Sequence, residues 1–362
     1  KSIIAMVRIL GLETPVEVEV NMDGLIFKPE LLPFTSSQKS IIETLPCVRK
    51  EGYNLLIPKG VHEVTEDLFI PSRYSLVLEE GACLKFAKDT VMVSEGAIIV
   101  KGTPENPVRF TSLNDSWGGI LVSNAKKRSR IEHLHFSNAS GIGPSLQIQG
   151  TERFGWMLTG GITFHDSDVD FLNCKFSDVS SEDALNLISA DFRMLGCSFS
   201  DVSSDAFDGD FVHGLIKDCR FEKIGGDAID LSGSDVSIDE VHALFVSDKG
   251  LSAGEGSKVF ISNSSFQNVD FAIASKDLSE VKASKIKVRQ AKKSALAAYQ
   301  KKNGFGPAKI EITELDIEKK GKRHLAETGS SISLDGELLD TVELKVDSLY
   351  GKDESADKDG KP

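Results

Sequence analysis

Residues 174–187 read CKFSDVSSEDALNL, residues 197–210 CSFSDVSSDAFDGD and residues 219–232 CRFEKIGGDAIDLS. Stacked on their cysteines, the three lines put Phe176, Phe199 and Phe221 in one column and Val179, Val202 and Ile224 in another. A further apolar column, Leu185, Phe207, Ile229, Leu251 and Ile273, advances by 22 residues at each step. Between these columns apolar and polar residues alternate, with Gly, Asn, Asp and Ser at the breaks and no helical period. Alternation makes strands, because successive side chains of a strand point to opposite faces. A period of about 22 residues holding three short strands makes a solenoid, in which each coil buries its apolar edge on the next.

With that repeat the chain resembles the right-handed parallel β-helix proteins of bacterial, pectin-lyase-like architecture. The resemblance extends upstream, where LLIPKGVHEV (55–64), LFIPSRYSLVLEEGACLKF (68–86), AIIVKGTPENPVRFTSL (97–113) and WGGILVS (117–123) look like early coils. The expected fold is all-β, a right-handed parallel β-helix solenoid with coils of about 22 residues. It divides the chain into an N-terminal extension or cap (1–45), the β-helix (46–335), and a C-terminal strand remnant with a disordered tail (336–362). Alternation in PVEVEVNMDGLIF (15–27) suggests a short hairpin, and a terminal coil needs cover because it exposes unpaired strand edges. The tail YGKDESADKDGKP is polar and charged throughout. One irregularity stands out: Phe136 and Phe176 are 40 residues apart, and GTERFGWMLTGG (150–161) reads as a loop projecting from the coil.

Composition narrows the partners. The 362 residues carry a net charge of −13, which argues against nucleic acid and anionic membrane. No run of about 20 apolar residues is present to span a membrane. The chain opens at Lys1, and SIIAMV is too short for the core of an export signal, so localisation is not readable directly from these residues. The five cysteines lack metal-type spacing, and Cys174, Cys197 and Cys219 fall on the repeat, where they read as small buried hydrophobes.

The repeat also aims the polar residues. With Phe207 facing inward, Ala206, Asp208 and Asp210 share the outer face of one strand, and Asp205 sits at its start. Steps of 22 then define three columns: Asp183, Asp205, Asp227, Lys249; Asn186, Asp208, Asp230, Ser252; and Ile188, Asp210, Ser232, Gly254, Lys276. Parallel strands lie about 4.8 Å apart, so the columns merge into an aspartate-rich wall. Like charges about 5 Å apart repel by roughly 1 kcal/mol even in water, and Asp208 and Asp230 should titrate as a coupled pair. Aspartate is also a good corner residue, binding nearby backbone amides, and Asp183, Asp205 and Asp227 fit that role.

Parallel β-helices commonly use one outer wall as a groove for extended polysaccharide, and the resemblance implies a protein that acts on or binds a glycan. Asp208, Asp210 and Asp230 are the candidate catalytic carboxylates, one protonating the leaving oxygen and another activating water. Asp205, Asp227, Lys249, Lys276 and Trp156 are candidate substrate-binding residues. No cofactor is required, but Ca²⁺ held by Asp208 and Asp230 would relieve their repulsion. The activity implied is that of a polysaccharide hydrolase, lyase or epimerase, and the compartment implied is extracellular, periplasmic or the cell surface. His213 is similar to the histidine of the Gly-His-Gly element of β-helical polygalacturonases, with Val212 in place of the first glycine. His133 and His135 flank Leu134 and are expected to face outward together, and His165 with Asp166 stands just before the repeat. The opposing reading is a non-catalytic scaffold, favoured by 20 Phe against 2 Trp and 4 Tyr, since few amphipathic rings remain for a sugar-binding face.

Overall fold

The computed structural model describes residues 3–7, 16–20, 40–141, 160–318 and 322–349. Alternating apolar residues within each repeat form strands that pair with the equivalent strand of the next coil, in parallel and in register. The result is a parallel β-solenoid of about 11 turns, with a coil spacing of ~23 residues. Each coil adds a strand to each of three walls. The first wall begins at Asn54–Ile57, the second at Gly60–Val64 and the third at Leu68–Ile70. They close at Ser331–Leu334, Lys309–Ile317 and His324–Ala326 respectively.

Side chains pointing inward stack along the axis. On the second wall Phe136, Phe176, Phe199 and Phe221 are direct register partners. The ring centroids of Phe176 and Phe199 are 4.5 Å apart and those of Phe199 and Phe221 5.0 Å, the ring planes nearly parallel in both pairs. Trp117 extends this stack to Phe86, 4.0 Å away, and donates its indole N–H to the Ser137 carbonyl at 2.9 Å. Such ring pairs each contribute about 0.5–1.5 kcal/mol beyond area burial. Cys174, Cys197 and Cys219 are buried free thiols in the same core.

Corners follow a rule of their own. At the corner between the second and third walls Asn138, Asp178, Asp201, Lys223, Phe245 and Asn268 all adopt φ between 54° and 61°. Asn and Asp tolerate this left-handed conformation; Lys223 and Phe245 show that the stack imposes it on any residue placed there. Between the third and first walls buried serines form a second polar spine. Ser234 Oγ accepts the Val212 N–H at 3.0 Å, Ser257 Oγ the Ser234 N–H at 3.0 Å, and Ser279 Oγ the Ser257 N–H at 3.1 Å.

Both ends of the stack carry additional elements. The short helix Ile41–Thr44 buries Ile41 at the first coil, and Ile3–Val7 pairs antiparallel with Val16–Val20. At the far end Glu337–Leu338 folds back antiparallel on Ser331–Leu334. Leu344, Val346 and Leu349 pack on the outer face of the third wall against Phe271, Ala274, Ala297 and Tyr299.

Candidate functional site

The third wall places the aspartates. Its central strands are Gly160–His165, Asp183–Ile188, Asp205–Asp210, Ile229–Ser232 and Lys249–Gly254. Asp183 is the register partner of Asp205, and Asn186, Asp208, Asp230 and Ser252 follow one another directly. Ile188, Asp210, Ser232 and Gly254 form the third column, and Lys276 reaches alongside Gly254. Ala206 departs from its expected outward position: it is fully buried in the core, because the chain is still rounding the corner where the strand begins.

The corner role and the wall role separate cleanly. Asp205 Oδ1 accepts the Asp227 N–H at 2.7 Å, and Asp227 Oδ1 accepts the Lys249 N–H at 2.8 Å, so each of these carboxylates ties its coil to the next. The Lys249 ammonium lies 3.3 Å from Asp227 and also pairs with Asp248. Asp208 accepts a hydrogen bond from Asn186 Nδ2 at 2.6 Å. Lys276 Nζ lies 3.8 Å from Asp230 Oδ1. One oxygen each from Asp205, Asp227 and Asp230 falls within 4.8 Å of the others. Asp208 belongs to the neighbouring Asn186 pair rather than to this trio.

Depth is what the columns alone do not convey. Asp183, Asn186, Asp227, Lys249 and Lys276 are each no more than 6% exposed, while Asp208, Asp210 and Asp230 are half-buried. Carboxylates in such a recess lose water, which raises their pKa unless a cation or donor compensates. Burial, then the charges of Asp183, Asp210 and Asp230, pushes Asp208 well above the usual range. At Asp230 burial acts in the same sense but is outweighed by the Lys276 ammonium, then by Ser252 and Lys249, and the carboxyl is held low. Burial raises Asp210 to about 6, reinforced by Asp230 and Glu255. The recess therefore holds two carboxyls on adjacent strands whose proton affinities are displaced in opposite directions, Asp208 up and Asp230 down.

The other candidates lie apart from this recess. Trp156 falls outside the described residues. His213 is exposed on the first wall, its ring 3.8 Å from Asp191. His133 is a corner residue with φ 48°, so it does not share a strand face with His135, which projects from the second wall. His165 ends a third-wall strand in the Asp210 column, two coils away. Asp248, Glu255, Lys301 and Lys302 also surround the site: Lys302 pairs with Glu255, and Lys301 feels the charges of Lys276 and Lys249. The two lysines sit in QKKNG (300–304), which obeys no repeat and so gave no positional signal.

No protein-family profile matches the chain. No curated protein matches it by sequence. Solved structures match it by shape. The Dettilon tailspike protein (gp208) is 10% identical with a TM-score of 0.51, over 77% of this chain and 62% of the tailspike. Endopolygalacturonase I from Stereum purpureum, complexed with two galacturonates, is 12% identical with a TM-score of 0.38, over 79% and 94%. The periplasmic alginate epimerase AlgG is 8% identical with a TM-score of 0.38, over 80% of each chain. The chain thus spans about three fifths of the tailspike's length. At such identities the likeness is one of fold, that of a parallel β-helix. Among the described residues no helix is long and apolar enough to cross a membrane.

Proposed function

We propose that the third wall is the working face of a polysaccharide-acting β-helix, with Asp208 as general acid and Asp230 as general base in cleavage of a glycosidic bond. The observation that carries this is the opposite displacement of two carboxyls that are register partners, Asp208 pushed up and Asp230 held down. Carboxyls whose environments drive their pKa values apart are matched to acid and base roles at neutral pH. Asp208 would give its proton to the leaving oxygen while Asp230 takes one from the attacking water. Asp205 and Asp210 would line the bound chain, with Asp227 buried beneath them and Lys249 and Lys276 keeping the recess from excess negative charge. A glycan substrate accords with an extracellular, periplasmic or cell-surface location.

Ca²⁺ is an alternative occupant, favoured by the three oxygens of Asp205, Asp227 and Asp230 that converge within 4.8 Å. Lys249 and Lys276 already neutralise part of that charge, so the ion would have to compete with them. One assay addresses both readings: new reducing ends are measured on a panel of neutral and acidic polysaccharides, with and without Ca²⁺. The wild type should release them, and Asp208→Asn and Asp230→Asn should each slow release by about 10²–10⁴-fold while remaining folded. Release that depends on Ca²⁺ would make the trio a metal site. Release unchanged in both variants, or none from any polysaccharide, would overturn the acid–base assignment.

A further inference from the structure

One outward column of the second wall carries the opposite charge from the molecule as a whole. In a chain of net charge −13, this column runs Arg109, His135, Lys175, Ser198, Arg220, His242 without a single acid. Successive members stand about 4.8 Å apart, one strand to the next. All but His135 and Ser198 are exposed. Elsewhere the basic side chains have partners: Arg128 and Arg193 converge on Asp170 at 3.2 and 2.5 Å, and Lys223 meets Asp201 at 3.2 Å. Among the described residues no carboxylate pairs with Arg109, Lys175 or Arg220.

Beside the charged column runs a second one. It runs Glu63, Lys85, Thr111, Ser137, Ser177, Ser200, Glu222, acidic at its two ends and lined by hydroxyls between, with Ser137 Oγ donating to Thr111 Oγ1 at 2.9 Å. A groove of about 410 Å³ follows the two columns, lined by Arg109, His135, Lys175 and these hydroxyls. Burial, then the charges of Lys175, Arg109 and His133, holds the His135 imidazole below its ordinary range.

We propose that this strip binds an extended polyanionic glycan, a chain bearing carboxylate or sulfate groups on successive sugars, laid along the solenoid axis. The cations Arg109, Lys175 and Arg220 recur at every second strand, about 10 Å apart, and an anionic chain crossing the strands meets all three at once. The parallel hydroxyls supply hydrogen-bond partners for sugar oxygens. Single-stranded nucleic acid fits less well, because among the described residues no exposed aromatic ring stands between Lys85 and Arg220 for bases to stack on. The strip lies on a different wall from Asp208 and Asp230 and does not depend on their role.

The test is equilibrium binding of the whole chain to polygalacturonate, dextran sulfate, neutral dextran and single-stranded DNA, at low and moderate salt. At least one of the two anionic glycans should bind, more weakly as salt rises, and neutral dextran should not. Which of the two binds distinguishes carboxylate from sulfate. The Arg109→Glu/Lys175→Glu variant should weaken that binding by about tenfold or more, and reversal of an exposed first-wall cation, Lys258→Glu, should leave it unchanged. If charge reversal impairs folding, Arg109→Gln/Lys175→Gln gives the same reading with a smaller change. Binding of neither polyanion, equal binding by folded variants, or tighter binding of DNA than of either glycan would overturn the proposal.

Discussion

Asp183 couples folding to pH in a direction opposite to that of most aspartates. Burial, then Asp205 and Glu182, pushes its carboxyl up to about 8, against roughly 3.9 in an unfolded chain. Between those values the folded chain holds a proton that the unfolded chain has released, so stability falls as pH rises through this window. Asp227, raised to about 7, and Asp205 and Asp210, raised to about 6, add to the same trend. Asp230, held low, opposes it only in acid. The melting temperature should therefore be higher near about pH 5 than near about pH 8, and Asp183→Asn should flatten the difference. A melting temperature that climbs across that range would mean the aspartates fold ionised. The 22-residue step made these residues legible as neighbours, since register follows from spacing. Their depth was not legible, because spacing does not say what lies over a wall.

At the scale of the element, the serine spine is as periodic as the phenylalanine stack. Ser234, Ser257 and Ser279 occur in Ser-Asp-Val, Ser-Lys-Val and Ser-Glu-Val, each with its valine on an inward position of the first wall. A polar residue beside glycine reads as a turn, so its burial escaped notice. Ser257 is completely buried, accepting from the Ser234 N–H and donating to the Gly254 carbonyl at 2.7 Å. Ser257→Ala removes only the hydroxyl and leaves that N–H without an acceptor, which should cost about 1–3 kcal/mol. Denaturant unfolding of the variant checks this; an unchanged midpoint would mean the corner re-forms its hydrogen bonds another way.

Across the whole molecule, each coil touches only its neighbours, so stability is a sum of coils and interfaces. Phe199 sits between Phe176 and Phe221 at the middle of the ring stack. Phe199→Ala should cost about 3–5 kcal/mol and weaken the coupling of the coils on either side. Thermal unfolding should then broaden or split into two transitions; a single sharp transition at the wild-type temperature would contradict this. The solenoid itself was legible because its columns are apolar and evenly spaced. The cationic strip was not: Arg109, His135 and Lys175 are separated by 26 and 40 residues, and only the folded coils show them to be adjacent.

That 40-residue step has a practical corollary. Phe136 and Phe176 remain direct partners, and Gly160 is already back beside Asp183, although the coil between is nearly twice the usual length. A position here is an address of coil and wall, and the chain may be lengthened between Gly141 and Gly160 without changing any address downstream. Gly141 and Gly160, the described flanks of this step, are accordingly natural splice points, where a reporter peptide can be grafted while the pitch of the screw is preserved.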